Sequence, residues 1–226
     1  GGEVVALSGP AESGVNRVVW DLRAGEDAPA PSTEGAEVLP GSYEVTVTVG
    51  DASSSGTLEV LPDPRRATGR AARTAMLEAL AVMRGYTDVL DQARERVARR
   101  ISELDRLVQE LPAEAGAPLE RGRAARDTLA AVRERFFTGP ECQGICGGEP
   151  LARTVSAPLF RLGSNAGAPT ALEREAMARA RAALETIVTE VNRLDRVLVG
   201  PLRDALEAAG VSFLPEEEPI RMPGGA

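Results

Sequence analysis

The hydrophobic period of this chain changes near Thr68, and no single type of secondary structure can satisfy both halves. In "GSYEVTVTVG" (Gly41–Gly50), Tyr43, Val45, Val47 and Val49 alternate with Glu44, Thr46 and Thr48. That is the pattern of a strand with one apolar face. Beyond Thr68, Met76, Leu80, Met83, Leu90, Val97, Ile101, Leu104, Val108 and Leu111 recur in steps of four and three, interrupted by Thr87 and Arg94. This heptad-like seam predicts a helix of roughly 54 Å at 1.5 Å per residue. Gly85 is its expected weak point. Between the two regimes lies "LPDPRR" (61–66), where two prolines end a strand and delay a helix.

The β part takes in residues 1–62. "GVNRVVWDLR" (Gly14–Arg23) is expected to be a strand carrying Val15, Val18, Val19, Trp20 and Leu22, and "GTLEVLP" a last strand with Leu58 and Val60 on one face. Three or four strands with one apolar face do not close a sandwich. Either further strands complete the sheet or it packs on the helices. The first residues look like the interior of a longer protein.

The helical part is expected over 70–212, after a linker at 63–69 and before a tail at 213–226. A helix near 117–137 places Ala125, Leu129, Val132 and Phe136 on one stripe, and a shorter one near 150–163 carries Leu151, Val155, Leu159 and Leu162 around Pro158. Thr170 and Glu173 form a capping-box pattern ahead of a last long helix with Leu184, Ile187, Val191, Leu194 and Leu198. Gly200-Pro201 is expected to interrupt it, and Gly210 to cap the continuation at Leu202 and Leu206. Amphipathic helices of this length predict an antiparallel bundle, with a homo-oligomer through a seam as the alternative.

Charge and composition narrow the function. All 26 basic residues are arginine, and there is no histidine. Residues 1–62 contain ten acidic and two basic residues, so the whole net charge of −8 falls on that segment. Neither nucleic acid nor an anionic membrane is an expected partner of such a chain. No membrane span is expected, since no apolar run approaches 18 residues. Without histidine there is no Ser-His-Asp or Cys-His arrangement. Cys142 and Cys146, in "GPECQGICGGEP", suit a small disulfide; free thiols are the alternative, and no other Cys or His completes a zinc set. The acidic loops at 24–37 fit no EF-hand spacing, and their carboxylates stand beside no aromatic sugar platform. No cofactor is expected.

The motifs "GVNRVVWDLR", "VLPGSYEVTVTVG" and "LEVLPDPR" resemble a bacterial family of exported proteins with a sortilin (VPS10)-like or BNR-repeat β-propeller, often labelled glycosyl hydrolase. The residues that carry the resemblance are Asn16, Arg17, Trp20, Asp21, Pro40, Gly41, Tyr43, Asp63, Pro64 and Arg65. The same strands are similar to the Ig-like domain of flagellar hook-capping proteins. The resemblance implies export to a periplasmic, cell-surface or extracellular location, which a disulfide would suit. It also implies a propeller upstream in the parent chain, and the expected partner is that propeller or another protein. The expected fold class is therefore α+β, a partial Ig-like antiparallel β-sandwich followed by an antiparallel bundle of long helices. The expected function is a non-catalytic structural or interaction module C-terminal to a propeller. The alternatives are a helical oligomerisation hub and part of a glycoside hydrolase.

Overall fold

The computed structural model describes residues 2–25, 35–65, 68–111, 116–138, 150–163, 167–208, 210 and 214–224. A small two-stranded antiparallel sheet precedes a bundle of long antiparallel helices. The chain divides into two compact units: Gly1–Val82 with Arg161–Ala171, and Met83–Phe160 with Leu172–Ala226.

In the first unit, β1 (Gly41–Val49) pairs with β2 (Ala52–Val60), Gly41 opposite Val60 and Val49 opposite Ala52. The turn is Gly50-Asp51. Gly50 has φ +58, and a positive φ at the first turn residue is what a two-residue type II′ hairpin loop requires. The alternation read from the sequence holds, but most of the apolar face is uncovered: Val45, Val47, Val49 and Leu58 are all exposed. Only the base is packed. There Ala24, Val38 and Val60 are buried, with Val4, Trp20 and Tyr43 against them.

Two expectations for this region are corrected. Gly14–Arg23 is not a strand; it runs irregularly to a single bridge between Arg23 and Glu37. Its apolar residues Val18, Val19 and Trp20 are contiguous rather than alternating, so no strand face could bury them together. The sortilin-like, BNR-repeat propeller architecture is also overturned. The described sheet is one open pair of strands, neither a sandwich nor a closed barrel or propeller.

The helices are α1 (Arg70–Glu110), α2 (Ala117–Arg133), α3 (Leu151–Gly163), α4 (Ala171–Leu194) and α5 (Gly200–Ala208). No described helix is long and apolar enough to cross a membrane. In the second unit the core joins Leu90, Val97, Leu104 and Leu107 of α1 to Leu129 and Val132 of α2, Val155 of α3, and Leu184, Ile187 and Val191 of α4. α1 runs unbroken through Gly85. Its buried face extends beyond the expected seam. Met76, Met83, Leu90, Val97, Ile101 and Leu104 are buried as expected, but Ala93, Arg100 and Leu107 are buried beside them, while Thr87 is only half-buried and Arg94 is exposed.

Two π-helical turns adjust the phase of the apolar stripes. At Glu134–Thr138 the turn buries the consecutive Phe136 and Phe137, whose rings meet edge to face at 6.3 Å. At Asp195–Val199 the Gly200 N–H donates to the Asp195 carbonyl five residues back. Pro201 has no N–H, and its ring would press on the carbonyl of Val197 in a regular helix. The wider turn avoids a break, so Gly200-Pro201 does not interrupt the helical run as expected. The added residue buries Val199 in place of Leu198, and the stripe resumes at Leu202 and Leu206. Gly210, at φ +79, follows the end of α5.

Candidate functional site

The residues that carry the motif resemblance fall into separate groups. At the base of the hairpin the Trp20 ring meets Tyr43 edge on at 5.6 Å. Trp20 Nε1 donates to the Arg23 carbonyl at 2.8 Å, and the Tyr43 hydroxyl donates to the Leu39 carbonyl at 2.5 Å. Asp21 Oδ1 accepts from the Arg23 N–H at 3.1 Å. This side-chain turn holds Leu22 at φ +62, an uncommon conformation for a bulky residue. Arg70 Nη1 donates to the Pro40 carbonyl at 2.7 Å, next to Gly41 at the start of β1. Burial pushes the Tyr43 hydroxyl above its ordinary pKa, against the charges of Arg70 and Arg73.

The remaining motif residues lie apart from that cluster. The Asn16 amide closes on Glu12, accepting from its N–H at 3.2 Å and donating to its carbonyl at 2.9 Å. Arg17 is exposed. Asp63 accepts from the Arg65 backbone N–H at 2.9 Å and from its guanidinium at 3.1 Å, across Pro64. These residues shape backbone; among the described residues they do not converge on a cleft. Cys142 and Cys146 lie outside the described residues.

A second cluster had no sequence signal. Arg100 is the one buried charged residue among those described, 2 % exposed. Its Nε lies 3.1 Å from Asp195 Oδ1, Nη1 2.9 Å from Glu103 Oε2, and Nη2 3.0 Å from the Pro215 carbonyl. Arg99 grips Glu217 with two bonds, at 3.1 and 2.7 Å. Arg96 Nε lies 2.9 Å from Glu217 Oε2, yet its N–H makes no hydrogen bond. The separation is short, but hydrogen bonding also depends on direction; the contact is an ion pair that leaves a buried donor unsatisfied. The π turn supplies Asp195 to this cluster, and residues 214–223 supply Pro215 and Glu217.

Those C-terminal residues are not a free tail. Leu214 and Ile220 are buried in the core of the second unit, with Met222 packed against it. Asn192 Nδ2 donates to the Ile220 carbonyl at 2.8 Å, and Asn192 Oδ1 accepts from the Ile220 N–H at 2.9 Å. A Cβ added at Gly85 would lie 3.5 Å from the Pro223 ring.

A cleft of about 410 Å³ opens beside this segment, lined in part by Arg196, Arg203, Asp204 and Glu216. Burial pushes the Glu217 carboxyl up, but the hydrogen bonds of Arg99 and the charges of Arg100, Arg96 and Arg99 outweigh it and hold the group below its ordinary value. Burial likewise opposes the charge on Arg100, and Glu103, Asp195 and Glu217 overcome it. Among the described residues no group of three or more Cys, Asp or Glu side chains could hold a metal ion. No family model, no curated protein and no solved structure matches the chain.

Proposed function

We propose that the chain is a non-catalytic interaction module that offers its β-hairpin to a strand-bearing segment of another protein or of a longer parent chain. The observation that carries this reading is the uncovered face of Val45, Val47, Val49 and Leu58 above a packed base. A two-stranded hairpin alone is marginal in water, and its open edges are templates for a further strand. The Ig-like reading of residues 1–62 draws support from the Tyr43 hydroxyl bonded back to Leu39, an arrangement like the tyrosine corner of Ig sandwiches. Export, to the periplasm, the cell surface or beyond, is part of the proposal and rests on the motif resemblance.

The hydrolase alternative has less support. A general acid needs a raised pKa, whereas Glu217 is lowered and lies among arginines. The oligomerisation-hub alternative has less as well, since the α1 stripe from Leu90 to Leu107 is already buried within one chain.

The alternation of β1 gives the test its own control. A photo-reactive residue placed at Val47 or Val49 should crosslink to one defined protein species in the native cell, while placement at Thr46 or Thr48, on the opposite face, should not. Equal labelling from both faces would contradict the proposal.

A further inference from the structure

The segment Leu214–Gly224 lies in the second unit as an extended peptide lies in a receptor. It is neither helix nor strand. Every hydrogen bond described between it and the helices involves a helix side chain: Arg99 to Glu217, Arg100 to the Pro215 carbonyl, and Asn192 to both backbone groups of Ile220. Asn192 therefore reads an extended backbone whatever the side chain. Specificity falls on two anchors three residues apart, Glu217 against Arg96, Arg99 and Arg100, and Ile220, 6 % exposed, in the apolar core. Recognition built from a backbone clamp, a charged anchor and an apolar pocket is the physics of linear-peptide binding.

We propose that α1, α4 and the π turn form a groove for an extended peptide of the form Glu-x-x-Ile, filled here by the chain's own C-terminal segment and filled in trans by the same segment of a second copy. The contacts are the same in both arrangements. Exchange between copies thus requires no new interface chemistry, only release of one segment and capture of another. The mutual charge balance of the groove favours this occupant. Arg96, Arg99 and Arg100 face Asp195, Glu103 and Glu217, and removing Glu217 leaves the arginines in excess.

The test uses the full chain and a fluorescent peptide of residues 214–224. In an Ile220→Asp chain, whose own segment cannot seat, the peptide should bind at least about tenfold more tightly than to the native chain, which its own segment blocks. Adding Asn192→Ala should weaken that binding about tenfold. A peptide carrying Glu217→Gln and Ile220→Asp should not bind. Equal binding of both peptides, or no binding to an Ile220→Asp chain that keeps its native helical signal, overturns the proposal. If that variant fails to fold, a second measurement decides. Tagged chain with a photo-crosslinker at Met222 is mixed with untagged native chain and refolded at high concentration. Tagged–untagged crosslinks near Asn192 are expected, and crosslinks confined to single chains overturn the proposal.

Discussion

The side-chain amide of Asn192 satisfies both backbone groups of Ile220, 28 positions later in the chain, at 2.8 and 2.9 Å. One residue of α4 thereby fixes a stretch that has no secondary structure of its own. Asn192→Ala should leave a half-buried N–H and carbonyl unpaired and cost about 1–3 kcal/mol. Urea unfolding, with the midpoint lowered and the slope unchanged, checks this.

Arg100 and Arg99 both approach Glu217, but their surroundings differ. Arg100 is buried and Arg99 half exposed. Arg100→Met should cost about 3 kcal/mol, because Asp195 and Glu103 lose their shared cation in a poorly solvated place. Arg99→Ala should cost less than about 1 kcal/mol, since solvent screens that pair. Equal losses in denaturant unfolding would mean that burial does not set the difference.

Glu217 predicts a pH dependence. Its folded pKa lies below the ordinary value, so the unfolded chain binds more protons and stability rises with pH through that window. The contribution is complete above the ordinary carboxylate value. It is lost as pH falls from there through the lowered folded value. Glu190, lowered chiefly by its hydrogen bond to Arg193, acts in the same direction. Glu217→Gln should therefore flatten the acid limb of a stability profile without abolishing it.

Gly85 lies where α1 meets Pro223, and an added Cβ would make ordinary contact at 3.5 Å. Gly85→Ala should stabilise the protein by about 0.5–1 kcal/mol through helix propensity. Gly85→Leu should displace Pro223 and reverse the sign. Thermal unfolding of the two variants separates propensity from close approach.

The hairpin and the four main helices were legible because their signals are local. Tyr43 to Val49 alternate next to Gly50-Asp51, and the stripes through Leu129 and Leu184 keep helical spacing. The Arg100 cluster was not. A heptad seam follows apolar residues, so it takes Ile101 and passes over Arg100, and its register places Arg94 rather than Ala93 in line. Arg100 faces inward because Asp195, 95 positions away, is turned toward it by a π turn that no period announces. The docked C-terminal segment was equally hidden. "PEEEPIRMPGGA" reads as a solvated tail, and one buried isoleucine makes no pattern. The apolar neighbours of Trp20 point to a strand, whereas Asp21 and the positive φ of Leu22 bend the chain there.

Native-state hydrogen exchange reads both ends of the molecule in one experiment. In the proposed reading the C-terminal segment is docked and the hairpin waits for a partner. In the isolated chain the Ile220 amide should exchange about as slowly as amides of the α1 core near Leu104, and the amides of Val45–Val49 should exchange orders of magnitude faster. Hairpin amides as protected as those of α1, or an Ile220 amide that exchanges as freely as an open chain, would contradict it.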